Sequence, residues 1–228
     1  MQLNYEKIMK EGLTVLSSGT TGKPKEIYRS PKQLISSFQY SLAGQKINKD
    51  SRVLTVTKLT HAGGSLLQTL PAMHIRVPVK IVTFNPYKFL DQIKDYTHTF
   101  LPPAHMKAIT KTKSWDTCDL SGLRIVGGSD RVSWDLIEAY VSKGAIVQPN
   151  WGMSEVGPFC INAEYGSKSK IDRHKKHQWI LGDNFSVEWE IVDGQLFVSG
   201  EQCVYNGWFA TGDLVFEDNG VLYYRGRK

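Results

Sequence analysis

The chain has 228 residues, 41% hydrophobic and 22% charged, proportions that suit a globular core and exclude a disordered or fibrous protein. Its net charge is +6, but +4 of that sits in residues 165–177, YGSKSKIDRHKKH. The rest is nearly balanced and no aromatic interleaving accompanies the run, which argues against a nucleic-acid partner. Cys118, Cys160 and Cys203 are far apart, no signal-peptide core opens the chain, and no apolar run is long enough to span a bilayer; these features fit a reducing cytoplasm and no membrane.

LTVLS (13–17) reads as a strand that delivers the chain into the polar stretch SSGTTGKPK (17–25). Ser30-Pro31 supplies a cap and a first-turn proline for a helix running to Gly44. Strand and helix patterns then alternate: strands at 52–57, 77–84, 98–102, 123–128 and 145–149, and helices over 63–73, 86–95, 103–111 and 133–143. Strands separated by helices of about ten residues predict βαβ units and a mostly parallel sheet. After about residue 180 the pattern becomes alternating, at 185–192, 195–200 and 221–226, with turn signals at Asp193-Gly194 and Asp218-Asn219-Gly220. The expected architecture is an α/β layer over 1–180 followed by a small antiparallel, β-rich and barrel-like subdomain over 181–228. The basic run 165–177 reads as a solvated mobile segment or, in the alternative, as a flap beside a polyanion such as pyrophosphate or coenzyme A.

SSGTTG, GGSD (127–130) and NWGMSE (150–155) each follow a predicted strand, and in parallel sheets ligands bind beyond the carboxyl ends of the strands. Three polar, glycine-bearing segments are therefore expected along one edge. The first is not the phosphate loop of nucleoside triphosphatases, because Gly19 and Gly22 are only three apart and Pro24 stands where a helix would begin. Its backbone N–H groups and hydroxyls still suit phosphate oxygens.

In order along the chain, SSGTTGKPK (17–25), WGMSE (151–155), GWFATGDL (207–214) and YRGRK (224–228) resemble the phosphate loop, the aromatic-Gly-x-Thr-Glu motif, the G-Y/W-x-x-T-G-D motif and the hinge motif of the adenylate-forming superfamily. HAGG (61–64), FLPPAH (100–105) and residues 119–144 are similar to its acyl- and aryl-CoA synthetase branch. The resemblance implies ATP-phosphate contacts from Ser17, Ser18, Gly19, Thr20, Thr21, Gly22 and Lys25, with Lys25 and Glu155 as catalytic groups. It makes Glu155 the Mg²⁺-linked carboxylate, Asp213 the acceptor for the ribose hydroxyls, and Trp151 the ring against adenine. Gly127, Gly128 and Ser129 would line the adenine and carboxylate region, Asn150, Gly152, Met153 and Ser154 would complete the nucleotide site, and Arg227 would reach the ribose. His61, with Gly128 and Gly152, would border the acyl pocket. SDRV (129–132) departs from the family's more usual small residue plus proline, and Trp151 replaces Tyr or Phe.

The resemblance implies a carboxylic acid activated by Mg·ATP as an acyl-adenylate, with pyrophosphate released and coenzyme A as a further acceptor. KLTHAGGS (58–65) has no aspartate to hold an amino group, which favours an aryl or acyl acid over an amino acid. Only 16 residues precede Ser17, and the sequence stops at Lys228, immediately after the Gly226-Arg227 pair. This pattern implies a form lacking most of the N-terminal region and the whole C-terminal domain with its lysine. A catalytically incomplete nucleotide- or adenylate-binding protein is the alternative, and a homodimer or a partner chain replacing the missing parts is compatible with both.

Overall fold

A computed structural model describes residues 3–17 and 25–228. Helix α1 (Tyr5–Glu11) starts where the Asn4 side chain accepts from Lys7 N at 3.0 Å, and stops at Gly12, whose φ of 82° suits glycine. Strands β1 (Leu13–Ser17) and β2 (Lys25–Arg29) pair antiparallel, with Ser17 opposite Lys25. Ser30 and Gln33 then form a reciprocal capping box that opens α2 (Pro31–Gln45), with Pro31 in the first turn as expected.

The βαβ region follows the predicted order: β3 (Val53–Thr55), α3 (Ala62–Ser65), α4 (Thr69–His74), β4 (Val79–Ile81), α5 (Pro86–Gln92), β5 (His98–Leu101), α6 (Pro103–Thr110), β6 (Arg124–Gly127), α7 (Trp134–Ser142) and β7 (Ile146–Met153). The helix expected over 63–73 is instead two short ones. Gly64 approaches the Lys58 carbonyl so closely that a Cβ would lie 2.0 Å from it, and this contact fixes the chain at a place where helix propensity is weak. Sequence patterns did not indicate β2, α1 or the fully buried β8 (Gly157–Asn162). The basic run, expected as solvated and mobile, forms α8 (Lys168–His174) instead. Ile171 is buried, Lys170 pairs with Asp183 at 2.8 Å, Lys175 with Glu138 at 3.1 Å, and Lys176 with Asp218. Opposite charges on neighbouring elements tie the run down.

The remaining strands are β9 (Ile180–Gly182), β10 (Asn184–Phe185), β11 (Glu188–Val192), β12 (Gln195–Ser199), β13 (Phe209–Asp218) and β14 (Val221–Arg227). Among the described residues they join two larger sheets. One has the order β10-β8-β7-β6-β5-β3-β4, parallel from β4 through β7, with β8 and β10 antiparallel at one side. The other is antiparallel, β11-β12-β13-β14-β9. The run 185–192, expected as one strand, is therefore divided between sheets, and the Ser186 hydroxyl donates to the Phe159 carbonyl at 3.0 Å where it crosses.

One core lies between the parallel sheet and α5–α8, and includes the fully buried Phe89, Ile137 and Tyr140. A second joins the two sheets through Val156, Ile161, Leu196, Val198 and Leu222. A third packs Val15 of the hairpin on Leu34 and Phe38 of α2 and Leu70 of α4. At about 1.5–3 kcal/mol for each large side chain taken from water, that third cluster anchors the hairpin against the layer it does not hydrogen-bond into as a strand. No helix among the described residues is long and apolar enough to cross a membrane.

Candidate functional site

The parallel strands carry their following segments to one edge, and there a cleft of about 1540 Å³ opens. It is bordered in turn by residues 81–84 at the end of β4 and beyond, 56–64 after β3, Phe100, Pro102 and His105 at β5 and α6, 129–132 after β6, and 149–155 on β7 and in the turn that follows it. The hairpin β1–β2 and the β13–β14 pair close its other sides through Ser17, Lys25, Asp213 and Arg227.

Ser17 and Lys25 face each other across the hairpin and both line the cleft. Ser18, Gly19, Thr20, Thr21 and Gly22 lie outside the described residues. The hairpin meets the sheet where Leu16 N donates to the Thr60 carbonyl at 3.0 Å, and His61 Nδ1 lies 3.2 Å from the Leu16 carbonyl. His61 is thereby placed in the cleft wall between the hairpin and α3.

NWGMSE was expected as a loop, but its first four residues extend β7, which pairs with β6 below and then swings to pair antiparallel with β8. The turn Ser154-Glu155-Val156 connects β7 to β8, so Glu155 sits at a hairpin turn with its carbonyl held by Val204 N at 2.8 Å. Gly152 runs so close to β8 that a Cβ would stand 2.5 Å from the Gly157 carbonyl; this position admits no side chain. Asn150 lines the cleft, and its Oδ1 is buried without a partner among the described residues. A buried amide oxygen of that kind calls for a donor. Ser129 also lines the cleft, in a left-handed conformation (φ 68°), while Gly127 packs toward Val132 and Gly128 toward Asn150 beneath the lining. The structure thus brings Ser129 to the cleft and leaves Gly127 and Gly128 as its support.

On the β13–β14 pair, Arg227 stands opposite Asp213, with its Nη1 at 3.8 Å from Oδ1 and its Nη2 donating to the Thr211 carbonyl at 3.3 Å. Trp151 reaches across from β7 and donates from Nε1 to the second Asp213 oxygen at 2.8 Å. Its indole also packs against the core between the sheets. Burial raises the Asp213 pKa above its ordinary value, a shift opposed by the Trp151 hydrogen bond and by Arg227.

Sequence reasoning missed Arg29. Among the described residues it is the largest fully buried side chain, at the end of β2, and it donates from Nη1 to the Ser154 carbonyl at 2.7 Å, from Nη2 to Ser37 Oγ at 3.1 Å, and to the Gln202 carbonyl. Burial lowers its pKa to about 10, so it remains charged at neutral pH. One guanidinium therefore ties the strand bearing Lys25 to the turn bearing Glu155. Nothing in KEIYR distinguishes that arginine from a surface one, because two of its three partners are backbone carbonyls more than a hundred residues away.

The carboxylates lining the described cleft are Asp130, Glu155 and Asp213, and no group of three or more His, Cys, Asp or Glu residues among the described residues makes a cage for a metal. A single carboxylate suits Mg²⁺, which shares its coordination with phosphate oxygens and water, and does not suit a structural metal.

A family model described as AMP-binding enzyme matches residues 13–211. The chain is 28% identical over 242 residues to an indoleacetate–CoA ligase of Aromatoleum aromaticum, covering 95% of this chain and 47% of the relative. It is 25% identical to 4-coumarate–CoA ligase 1 of Oryza sativa subsp. japonica, covering 89% and 42%. The chain thus spans about half the length of the curated relatives it matches. Among solved structures, ATP-bound MatB from Rhodopseudomonas palustris superposes with a TM-score of 0.80 at 19% identity, over 95% of this chain and 48% of that one. The o-succinylbenzoate coenzyme A synthetase of Bacillus subtilis with AMP gives 0.79 at 22%, over 96% and 50%; both show a shared fold. With that match over most of its length and its motifs gathered at one cleft, the chain belongs to the AMP-binding enzyme family.

Proposed function

We propose that the cleft binds ATP and a small aryl or acyl carboxylic acid and joins them as an acyl-adenylate, releasing pyrophosphate. The observation that carries this reading is the convergence of Lys25, Glu155, Trp151, Asp213 and Arg227, from four separated stretches of sequence, on one cavity.

Lys25 supplies positive charge at the phosphate end, on the strand whose hairpin continues into SSGTTG. Asp213 accepts from the ribose hydroxyls, held in orientation by Trp151 and faced by Arg227. Asn150 offers its buried oxygen to the base, and the Trp151 ring provides an apolar surface beside it. Glu155 is the residue that would hold Mg²⁺, which when bound neutralises phosphate charge. The acid lies toward His61 and Ser129, its carboxylate directed at the α-phosphate. Attack there is an in-line displacement, accelerated by positioning and by charge neutralisation. Coenzyme A as a later acceptor is what the names of the relatives suggest, and we propose it here on that ground alone.

Calorimetric titration with Mg·ATP tests binding, and acid-dependent ATP–pyrophosphate exchange tests chemistry. Binding in the micromolar to millimolar range that weakens in Asp213→Ala is the expected result. Absence of nucleotide binding would overturn the reading. Binding without exchange over a panel of aryl and acyl acids would support the alternative, a nucleotide-binding protein without turnover.

A further inference from the structure

Asp213 is held on every side but one. Its backbone N donates to Thr211 Oγ1 at 3.1 Å, and that hydroxyl donates in turn to the Leu196 carbonyl at 2.7 Å. On the neighbouring strand Lys228 N donates to the Gly212 carbonyl at 2.8 Å, so the backbone is framed from both directions. The Asp213 side chain is only 7% exposed, and its two oxygens are not equivalent. Oδ2 accepts from Trp151 Nε1 at 2.8 Å, and that indole is itself packed into the core between the sheets. Oδ1 accepts no hydrogen bond among the described residues and has Arg227 Nη1 at 3.8 Å.

A carboxylate can take both hydroxyls of a sugar by giving one oxygen to each. Here one of the two is already committed. The donor is the N–H on the edge of an indole. Phenylalanine has no donor, and tyrosine carries its hydroxyl at the ring tip, so neither of the residues expected at position 151 supplies this edge contact. With the side chain so little exposed and the indole over Oδ2, a second hydroxyl has no approach to that oxygen. The gap from Oδ1 to Arg227 Nη1 is too long for a hydrogen bond between them, but it suits an inserted hydroxyl. An oxygen about 2.8 Å from each would donate its proton to Oδ1 and accept from Nη1. Both of those bonds have a charged partner and belong to the stronger class.

We propose that this site reads a single sugar hydroxyl, held between Asp213 Oδ1 and Arg227 Nη1, and that Trp151, by occupying Oδ2, removes any requirement for the second. The ligand class is then wider than ATP and takes in an adenine nucleotide that lacks one of its two sugar hydroxyls. The inference rests on the nucleotide-binding reading and adds the sugar selectivity. A site discriminates against an analogue only where the missing group leaves one of its own polar groups unpaired. Loss of the hydroxyl in the gap does so; loss of the other does not. In this respect Trp151 is a positioning residue, acting through Asp213 and not on the sugar.

The test titrates ATP, 2′-deoxy-ATP and 3′-deoxy-ATP, each with Mg²⁺, calorimetrically into the full chain. In the wild-type protein one deoxy nucleotide should bind roughly tenfold to a hundredfold more weakly than ATP, the worth of a hydroxyl bonded to charged groups, and the other within about twofold of it. Trp151→Phe frees Oδ2 for the second hydroxyl, so the deoxy nucleotide that the wild type accepts should fall to about fivefold below ATP. The lost tether and ring area weaken all three nucleotides together and cancel from that ratio. Should the variant fail to fold, the wild-type ratios decide alone. No binding of Mg·ATP would overturn the nucleotide reading. Mg·ATP binding with both deoxy forms weakened tenfold or more, with neither weakened, or with the ratios unchanged in Trp151→Phe, would overturn this inference alone.

Discussion

The two ends of the cleft are made by different means. The end bearing Asp213, where we propose the nucleotide binds, draws polar groups from β2, β7, β13 and β14, and long-range contacts hold it together: Trp151 to Asp213, Arg227 beside Asp213, Arg29 to the Ser154 carbonyl. The far end is made by residues that immediately follow β3, β4 and β5, fixed mainly by core packing and by one ring stack. The polar end of the cleft therefore depends on pairing between distant segments. Shape recognition depends on side chains that neighbouring strands place there.

If that contrast is right, substitutions at the nucleotide end should cost most, and the largest effect belongs to Glu155. Glu155→Ala is expected to lower acid-dependent pyrophosphate exchange by roughly 10²–10³, the usual cost of losing one preorganised electrostatic group. Its backbone contact to Val204 survives the change, so the melting temperature should stay nearly constant. A large fall in stability would show that the turn itself depends on the carboxylate.

Arg29→Met comes next. It strips charge-assisted hydrogen bonds from the Ser154 and Gln202 carbonyls, which are worth about 1.5–3 kcal/mol each. A net loss of about 3 kcal/mol, and a melting temperature lower by about 6–12 °C, is expected by calorimetry. Should the variant melt like wild type, the guanidinium is no tie between hairpin and turn.

Asp213→Asn separates function from stability. Burial holds the Asp213 pKa above that of an unfolded aspartate, so its charge opposes folding once the pH exceeds the raised folded value, and costs nothing below the unfolded one. The asparagine variant should therefore bind Mg·ATP about tenfold to a hundredfold more weakly yet melt higher at neutral pH. Its advantage should vanish as the pH falls through the folded pKa toward the unfolded one. Wild-type nucleotide affinity should decline over the same interval as the carboxylate takes up its proton. A variant less stable than wild type at pH 7 would contradict the sign. The smallest effect expected is that of Trp151→Phe, which deletes the Nε1–H donor to Asp213 and shortens the ring: about a fivefold to tenfold weaker titration with Mg·ATP, and an Asp213 carboxyl raised further.

Local patterns sufficed where local physics decides. The Ser30 capping box, the β5–α6 and β6–α7 successions and the alternating strands β12 and β14 stand where propensity and periodicity put them. The same holds for the motif residues Lys25, Trp151, Glu155, Asp213 and Arg227, which are legible as short strings and do line the cleft. Patterns failed where burial overrides alternation: β8 is buried on both faces and shows no period, and the 185–192 run splits because its two halves pair with different sheets. They failed also for α8, whose charges look solvated until Asp183, Glu138 and Asp218 are seen beside them.

By itself, then, the sequence determined the family, the βαβ order and the motif residues that come to line the cleft, because these reside in contiguous residues. Only the tertiary structure decided that Arg29 is buried between the hairpin and the turn, that Trp151 is tethered to Asp213, and that His105 lies stacked on Phe84 with one nitrogen enclosed. Each of those depends on which distant atom stands opposite. Desolvation and hydrogen-bond partnership are properties of that pairing and are written in no short stretch of chain.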